Sequence, residues 1–279
     1  MKIEPKKLSG FLKKISLGTQ IHETILDFSD KGLYVLAKTS DNVCMISGNL
    51  HSTAFEQYES IGKIGIQDLA IFTRIIDMFK KSLSIEKTES IIRFKENSKS
   101  IEIPLMDIEF IECPPKMPSI DLTENIKIPA SILNSFIKDA SINTDLVINL
   151  ETIEKALLLS NDGKYKFTTK ISCETAVGGR KASFGDQFIK SISTLSSDLL
   201  IGLGTNLPIK ILEKTDESNI HILIAPRTKN DEEMVEKPTQ EKPTQEKPKE
   251  EITEEKLVEE PVVEELSIAT DNKVVGEDA

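Results

Sequence analysis

The stretch Asp107–Pro129, DIEFIECPPKMPSIDLTENIKIP, decides how the chain is divided. Pro114, Pro115 and Pro118 fall within five residues of one another. Each proline removes a backbone donor and fixes its own φ, and no apolar period of 3.6 runs through the stretch. It therefore reads as an extended connector. The segments before and after it carry the same order of elements, so the connector separates two related halves.

On the N-terminal side, Leu8, Phe11, Leu12 and Ile15 recur at helical spacing behind Pro5, with Lys6, Lys7, Lys13 and Lys14 opposite. Strand patterns follow at Thr24–Asp27, Leu33–Ala37 and Val43–Leu50, with Asp30-Lys31-Gly32 as a turn between the first two. A second helix is expected over Gln67–Phe79, with Leu69, Phe72, Ile75, Ile76 and Phe79 inward and Arg74 outward. Strands over Ser82–Lys87, Ser90–Lys95 and Ser100–Leu105 complete the half.

Beyond the connector the order repeats. Pro129 opens a third helix with Ile132, Leu133, Phe136, Ile137 and Ala140 inward and Lys138 outward. Strands are expected over Leu146–Leu150, Ala156–Ser160 and Tyr165–Ile171, with Asn161-Asp162-Gly163 as a hairpin turn. A fourth helix over Asp186–Leu195 turns Phe188, Ile189, Ile192 and Leu195 inward and Lys190 outward. Leu199–Leu203, Ile209–Glu213 and Ile220–Ile224 close the body. The helix starts at 5, 67, 129 and 186 are 62, 62 and 57 residues apart. One helix followed by several strands, four times over, is an internal repeat. It is too rich in strand for βαβ units, so the fold class expected is α+β, with antiparallel sheets carrying four helices on one side.

The formal charge of -11 is unevenly spread over the 279 residues. From Lys229 onward there are 7 Lys against 17 Asp/Glu, a balance of -10, which leaves -1 for residues 1–228. The sequence KPTQE occurs twice in tandem there (Lys237–Glu241, Lys242–Glu246), and no aromatic residue follows Phe188. Such a segment buries too little apolar area to offset its chain entropy, and a disordered acidic tail is expected over 229–279. Within it, Val258–Ile268 (VEEPVVEELSI) has the look of a short linear motif.

Three cysteines, Cys44, Cys113 and Cys173, are odd in number and far apart, which favours reduced thiols in an intracellular protein. Met1-Lys2-Ile3-Glu4-Pro5 starts no secretory signal, and no apolar run approaches the roughly 18 residues of a membrane span. No catalytic constellation is present, and neither an enzyme nor a cofactor is expected. His22, His51 and His221 have no ligand-like spacing, so no metal is expected. Gly202-Leu203-Gly204 lacks the third glycine of a dinucleotide fingerprint, and Gly178-Gly179-Arg180 lacks the Lys-Ser/Thr of a phosphate loop.

The distinctive feature is that every expected helix carries Lys or Arg on its polar face: Lys13 and Lys14, Arg74, Lys138 and Lys190, with Lys80 and Lys81 just after the second. A lysine on a solvated helix face is ordinary. Four equivalent helices turning the same charge one way suit sequence-independent phosphate contact. The scarcity of aromatics argues against a single-strand stacking platform.

These residues also carry a resemblance. Phe11-Leu12-Lys13-Lys14-Ile15, Gly32-Leu33-Tyr34-Val35 through Ser40-Asp41-Asn42-Val43, Ala54-Phe55-Glu56-Gln57-Tyr58-Glu59, Lys127-Ile128-Pro129 with Ile137-Lys138-Asp139, Leu207-Pro208-Ile209, and Leu223-Ile224-Ala225-Pro226-Arg227 resemble, in order and spacing, the DNA sliding clamps. The similar type is the archaeal and eukaryotic one called proliferating cell nuclear antigen (PCNA). The resemblance covers roughly residues 1–228.

What it implies is a ring of three chains around double-stranded DNA, with two similar domains per chain, sheets outside and helices lining the hole. The division it implies is an N-terminal clamp domain over 1–106, the connecting loop over 107–126, a C-terminal clamp domain over 127–228, and the tail. Its implied function is a DNA polymerase processivity factor. The implied partners are DNA polymerase, clamp loader, flap nuclease and ligase, docking by short peptides in a pocket beneath the connector. Carried over residue by residue, that pocket uses Lys38, Val43, Met117, Pro118, Leu122, Pro208, Leu223, Ala225 and Pro226. Lys38 departs from the family, which usually has an apolar residue there. The compartment implied is cytoplasmic in a prokaryote or archaeon and nuclear in a eukaryote. A subunit of a heteromeric or checkpoint-type ring, and an acidic-tailed cytosolic scaffold without a DNA role, stand as the alternatives.

Overall fold

The computed structural model describes residues 1–122, 124–144, 146–185, 188 and 191–227. In chain order the elements are β1 (Lys2–Ile3), α1 (Pro5–Ile15), β2 (Thr24–Ser29), β3 (Gly32–Lys38), β4 (Cys44–His51), β5 (Gly62–Ile66), α2 (Leu69–Asp77), β6 (Leu83–Lys87), β7 (Ile91–Glu96) and β8 (Lys99–Pro104). After the connector come β9 (Glu124–Pro129), α3 (Ala130–Ala140), β10 (Val147–Ile153), β11 (Ala156–Asp162), β12 (Thr168–Ser172), β13 (Arg180–Phe184), β14 (Asp198–Leu203), β15 (Ile209–Lys214) and β16 (Ser218–Ile224).

Period-2 burial builds the strands. β4, CMISGNLH, alternates buried and half-buried along its whole length, and β2 does the same. Gly32 opens β3 at φ 124°, where an added Cβ would lie 2.1 Å from the Leu50 carbonyl oxygen, so the expected turn at Asp30-Lys31-Gly32 has no room for another residue type. Pro5 starts α1, and the Asp68 carboxylate caps α2 by accepting from the Ile71 amide at 2.7 Å.

Three antiparallel sheets result: β1-β6-β7-β8, β12-β11-β10-β13, and an eight-stranded sheet ordered β5-β2-β3-β4-β16-β15-β14-β9. The last crosses both halves of the sequence. Its central ladder pairs β4 with β16 in seven registered positions from Ser218–Leu50 to Ile224–Cys44. On one face, Leu33, Val35, Ile46, Leu50, Ile220, Ile222 and Ile224 enter a continuous core. α1 packs on this face over β4 and β16 and lies against α2. Gly48 makes the approach possible, since a Cβ there would meet Ile15 Cδ1 at 2.5 Å and Phe11 Cζ at 2.9 Å. α2 covers the first four-stranded sheet through Phe72, helped by Phe79 just past its end; their rings lie 5.4 and 6.2 Å from Phe94 on β7.

Several expectations are corrected. β1, β5, β9 and β13 were not foreseen. β9 lies within the stretch read as extended connector and pairs with β14 from Asp198–Pro129 to Leu203–Glu124, so the described chain without strands runs from Leu105 to Leu122 and includes a 3-10 turn at Ile108–Phe110. α2 ends at Asp77 and not at Phe79, although Phe79 is buried. The third strand of the second half begins at Thr168; Tyr165 is held in the preceding turn, its carbonyl accepting from the Asn143 and Asn161 side-chain amides at 2.9 Å each. Ile132, expected inward, is at the surface. The fourth helix falls partly outside the described residues, as does Lys190. Within that stretch Phe188, Ile192 and Leu195 are buried, and the Phe188 ring stacks on Phe184 of β13 at 5.2 Å. The tail 229–279 also lies outside them.

Gly48→Ala tests the seat of α1 on the sheet. The inserted methyl forces two core side chains aside, and the cost expected is about 1–3 kcal/mol, read as a lower urea midpoint at unchanged m-value.

Candidate nucleic-acid interface and docking face

The helical side divides the expected basic residues into two groups. Arg74 and Lys138 are exposed and form no ion pair among the described residues. Lys80 and Lys81 are exposed beyond the end of α2, where their backbone amides both donate to the Glu96 carboxylate. Lys13 is exposed but bridges α1 to α2 through Asp77 at 2.7 Å. Burial alone would raise the Asp77 carboxyl; Lys13 and the Ser9 hydroxyl outweigh it and hold it below the ordinary range.

Lys14 departs from the expected role. Its ammonium turns toward the body and meets Glu213 of β15 at 2.5 Å, with the Lys14 side chain 16% exposed and that of Glu213 fully enclosed. The second Glu213 oxygen accepts from the Ser196 and Ser197 amides at 2.9 Å each. Burial pushes this carboxyl up, but the Lys14 ammonium and the two amides outweigh it and set it below the usual carboxylate range. Lys7 makes a parallel pair with Glu217 beside β16. Lys7 and Lys14 thus staple α1 to the C-terminal strands. Nothing local in the sequence signals this, because the partners lie 210 and 199 positions away.

The opposite face of the eight-stranded sheet carries the connector as a strap. Its start is anchored at β5, where Met106 bridges Gly65; a Cβ on Gly65 would lie 2.3 Å from the Met106 carbonyl oxygen. Glu112 pairs with Lys38 of β3 at 2.5 Å. At the far end Leu122 covers Gly202 of β14, where a Cβ would meet Leu122 Cδ1 at 2.6 Å. Between its Glu112 and Leu122 anchors, on β3 and β14, the strap therefore spans β4, β16 and β15.

Of the expected pocket residues, Lys38, Leu223 and Leu122 lie on this face, whereas Val43 packs against the core. Leu223 is 6% exposed although no core face claims it, and it pairs with Met45 of β4. The Ala225 amide donates to the Val43 carbonyl at 2.9 Å, joining the chain's exit from the body to the β3–β4 turn. Pro208 is half-buried just before the Ile209–Ile224 pair, and Pro226 is half-buried next to Ala225. In the strap Met117 and Leu122 are half-buried and Pro118 is exposed. The sequence reading missed Glu112 and Lys210 here. The alternation in β15, IKILEK, puts Lys210 opposite the core residues Ile209 and Ile211 and so could have found it.

A sheet wall with helices on one side and a connecting strap on the other is the fold of the DNA sliding clamps. The PCNA of A. fulgidus, in a structure with the C-terminal region of FEN-1 bound, matches at TM-score 0.74 and 20% identity over 82% of this chain and 98% of that one. The PCNA of Entamoeba histolytica matches at TM-score 0.67 and 19% identity over 79% of this chain and 96% of that one. By sequence the chain is 26% identical over 232 residues to a protein of Methanococcus maripaludis strain C6 named DNA polymerase sliding clamp, covering 75% of this chain and 92% of that protein. A protein of the same name from Methanospirillum hungatei is 27% identical over 237 residues, covering 77% and 94%. No protein-family model matches the chain.

Lys14→Met separates a staple from a phosphate contact. As a staple, its loss leaves the enclosed Glu213 carboxylate uncompensated and costs about 3–5 kcal/mol at pH 7. A carboxyl held below its unfolded pKa contributes stability above that value and loses it as pH falls through the folded one. The parent thus weakens below about pH 4.3 and the gap to the variant narrows. Urea titrations of both proteins at pH 7 and pH 4 measure it.

Proposed function

We propose that the chain is the subunit of a ring that encircles duplex DNA and tethers a DNA polymerase to it. The observation that carries this reading is the two-sided wall: exposed, unpaired cations on the helical side, and on the other side a strap over an apolar sheet surface. The relatives named DNA polymerase sliding clamp support it over almost their whole length. Arg74, Lys138, Lys80 and Lys81 touch phosphates, Lys190 and Lys13 add to them, and Lys14 acts as a staple. Such contacts are sequence-independent and individually weak, so a closed ring is held by topology while it slides.

Closure uses unpaired strand edges. β8 and β12 end their respective four-stranded sheets. Phe110, 75% exposed, and Ile108 stand just beyond β8, and Tyr165 is exposed just before β12. Glu102 on β8 and Lys170 on β12 are exposed and opposite in charge. Pairing β8 of one copy with β12 of the next covers both edges and repeats head to tail until the ring closes, with three copies in the reading favoured here. Within each subunit the clamp domains are residues 1–106 and 127–228, joined by the loop 107–126.

Polymerase, clamp loader, flap nuclease and ligase dock by peptides beneath the strap, against Leu223, Ala225, Pro226 and Pro208. The ring is a tether and carries out no bond chemistry itself. Among the described residues no helix is long and apolar enough to cross a membrane. The place of action is wherever the chromosome is, cytoplasmic in a cell without a nucleus and nuclear otherwise.

Light scattering on the full chain is expected to give three times the 31.1 kDa chain mass. Phe110→Asp with Lys170→Glu is expected to give monomer. Arg74→Glu with Lys138→Glu is expected to keep the oligomer mass and melting temperature while lowering stimulation of primer extension on circular template, on the order of tenfold at moderate salt. Full stimulation by that variant would remove the helical face from the DNA interface.

A further inference from the structure

Strand register places four residues in one row across the strap side of the sheet. Lys38 pairs with Met45, Met45 with Leu223, and Leu223 with Lys210. Directly paired residues of antiparallel strands share a face, so two ammonium groups bracket an apolar pair. The row continues to Gly202, the residue covered by Leu122, which keeps Lys210 on the strap side. Two strap anchors, Glu112 and Leu122, therefore fall at the two ends of this row.

The charges at the two ends are in different states. Lys38 is 23% exposed and held by Glu112, which is itself 80% exposed. That hydrogen bond holds the Glu112 carboxyl below its ordinary range. Lys210 forms no ion pair among the described residues. After burial, its charge is the second factor that holds the His221 imidazole below its usual range. An ion pair with so exposed a carboxylate exchanges readily for another carboxylate. The row thus offers one cation already matched by a displaceable carboxylate, one cation still to be matched, and an apolar centre between them.

We infer that Lys38 and Lys210 select partner peptides with a carboxylate on each side of an apolar anchor, and that Glu112 stands in for one of those carboxylates until a partner displaces it. The inference rests on the reading of this face as a peptide-docking surface and assigns its specificity. Three strand spacings separate Lys38 from Lys210, about 14 Å between backbones. A peptide extended across the strands spans that distance in four residues, about 13 Å. The fitting pattern is an acidic residue, an apolar anchor two residues on to meet Met45 and Leu223, and a second acidic residue two further. Neutral or basic flanks leave Lys210 unmatched and do not compete with Glu112.

The test uses the full chain and three labelled synthetic peptides with one set of apolar and aromatic anchors and Glu, Gln or Lys at both flanking positions. Fluorescence anisotropy is expected to rank Glu above Gln by on the order of tenfold, with Lys weakest, the differences shrinking as salt rises. Lys38→Met and Lys210→Met are each expected to remove about half of the Glu-over-Gln preference on a logarithmic scale. Glu112→Gln is expected to tighten the Glu peptide, because its internal competitor is gone. Equal binding of the Glu and Gln peptides overturns the inference and leaves the docking face standing, as does a preference that neither methionine variant changes. Binding of none of the three peptides removes the docking face and the inference together.

Discussion

The ladder between β4 and β16 is the constraint on which the rest of the molecule depends. It joins residues 44–51 to residues 218–224 and makes one eight-stranded wall from the two ends of the body. A single wall has two faces, and side-chain alternation assigns each residue of the ladder to one of them. Ile220, Ile222 and Ile224 go to the core beneath α1, whereas Leu223 goes to the strap. A slip of one residue in this ladder would turn β16 over relative to β4, and with it Leu223 and Lys210, so that Lys38 and Lys210 no longer shared a face. Register here keeps the cation-bearing helices and the Lys38–Lys210 row on opposite sides.

The sequence showed much of the fold because helices and amphipathic strands repeat their pattern locally. The apolar faces of α1 and α2 were legible in the spacing of Leu8, Phe11, Leu12 and Ile15 and of Leu69, Phe72 and Ile76, all buried. The strands that escaped notice lack such a pattern. β5 is GKIGI, where two glycines break the alternation and Gly65 is kept small by the Met106 backbone. β13, RKASF, has two inward residues, Ala182 and Phe184. β9 was obscured by the three prolines upstream, although ENIKIP alternates cleanly once it is taken alone.

The functional faces were less legible, because charge on a helix wheel does not reveal a partner far away in sequence. Lys13 and Lys14 are neighbours in sequence with similar expectations. One bridges two helices at the surface, and the other is drawn against an enclosed carboxylate on β15. The helical face is consequently less positive than a count of lysines suggests, which suits loose contact with phosphates. On the strap side Lys38, which borders the Met45–Leu223 pair, is matched by Glu112 within the strap. A cation placed against an apolar pair is thus balanced by a carboxylate of the same chain.

The central claim is that the wall closes around DNA, and the most direct measurement is release by cutting. The protein is assembled with a clamp loader on a nicked circular duplex and washed in high salt, and the bound fraction is counted before and after a restriction cut. Topological linkage predicts retention through the wash and loss once the circle is opened. Loss during the wash, or retention on the cut DNA, would contradict it.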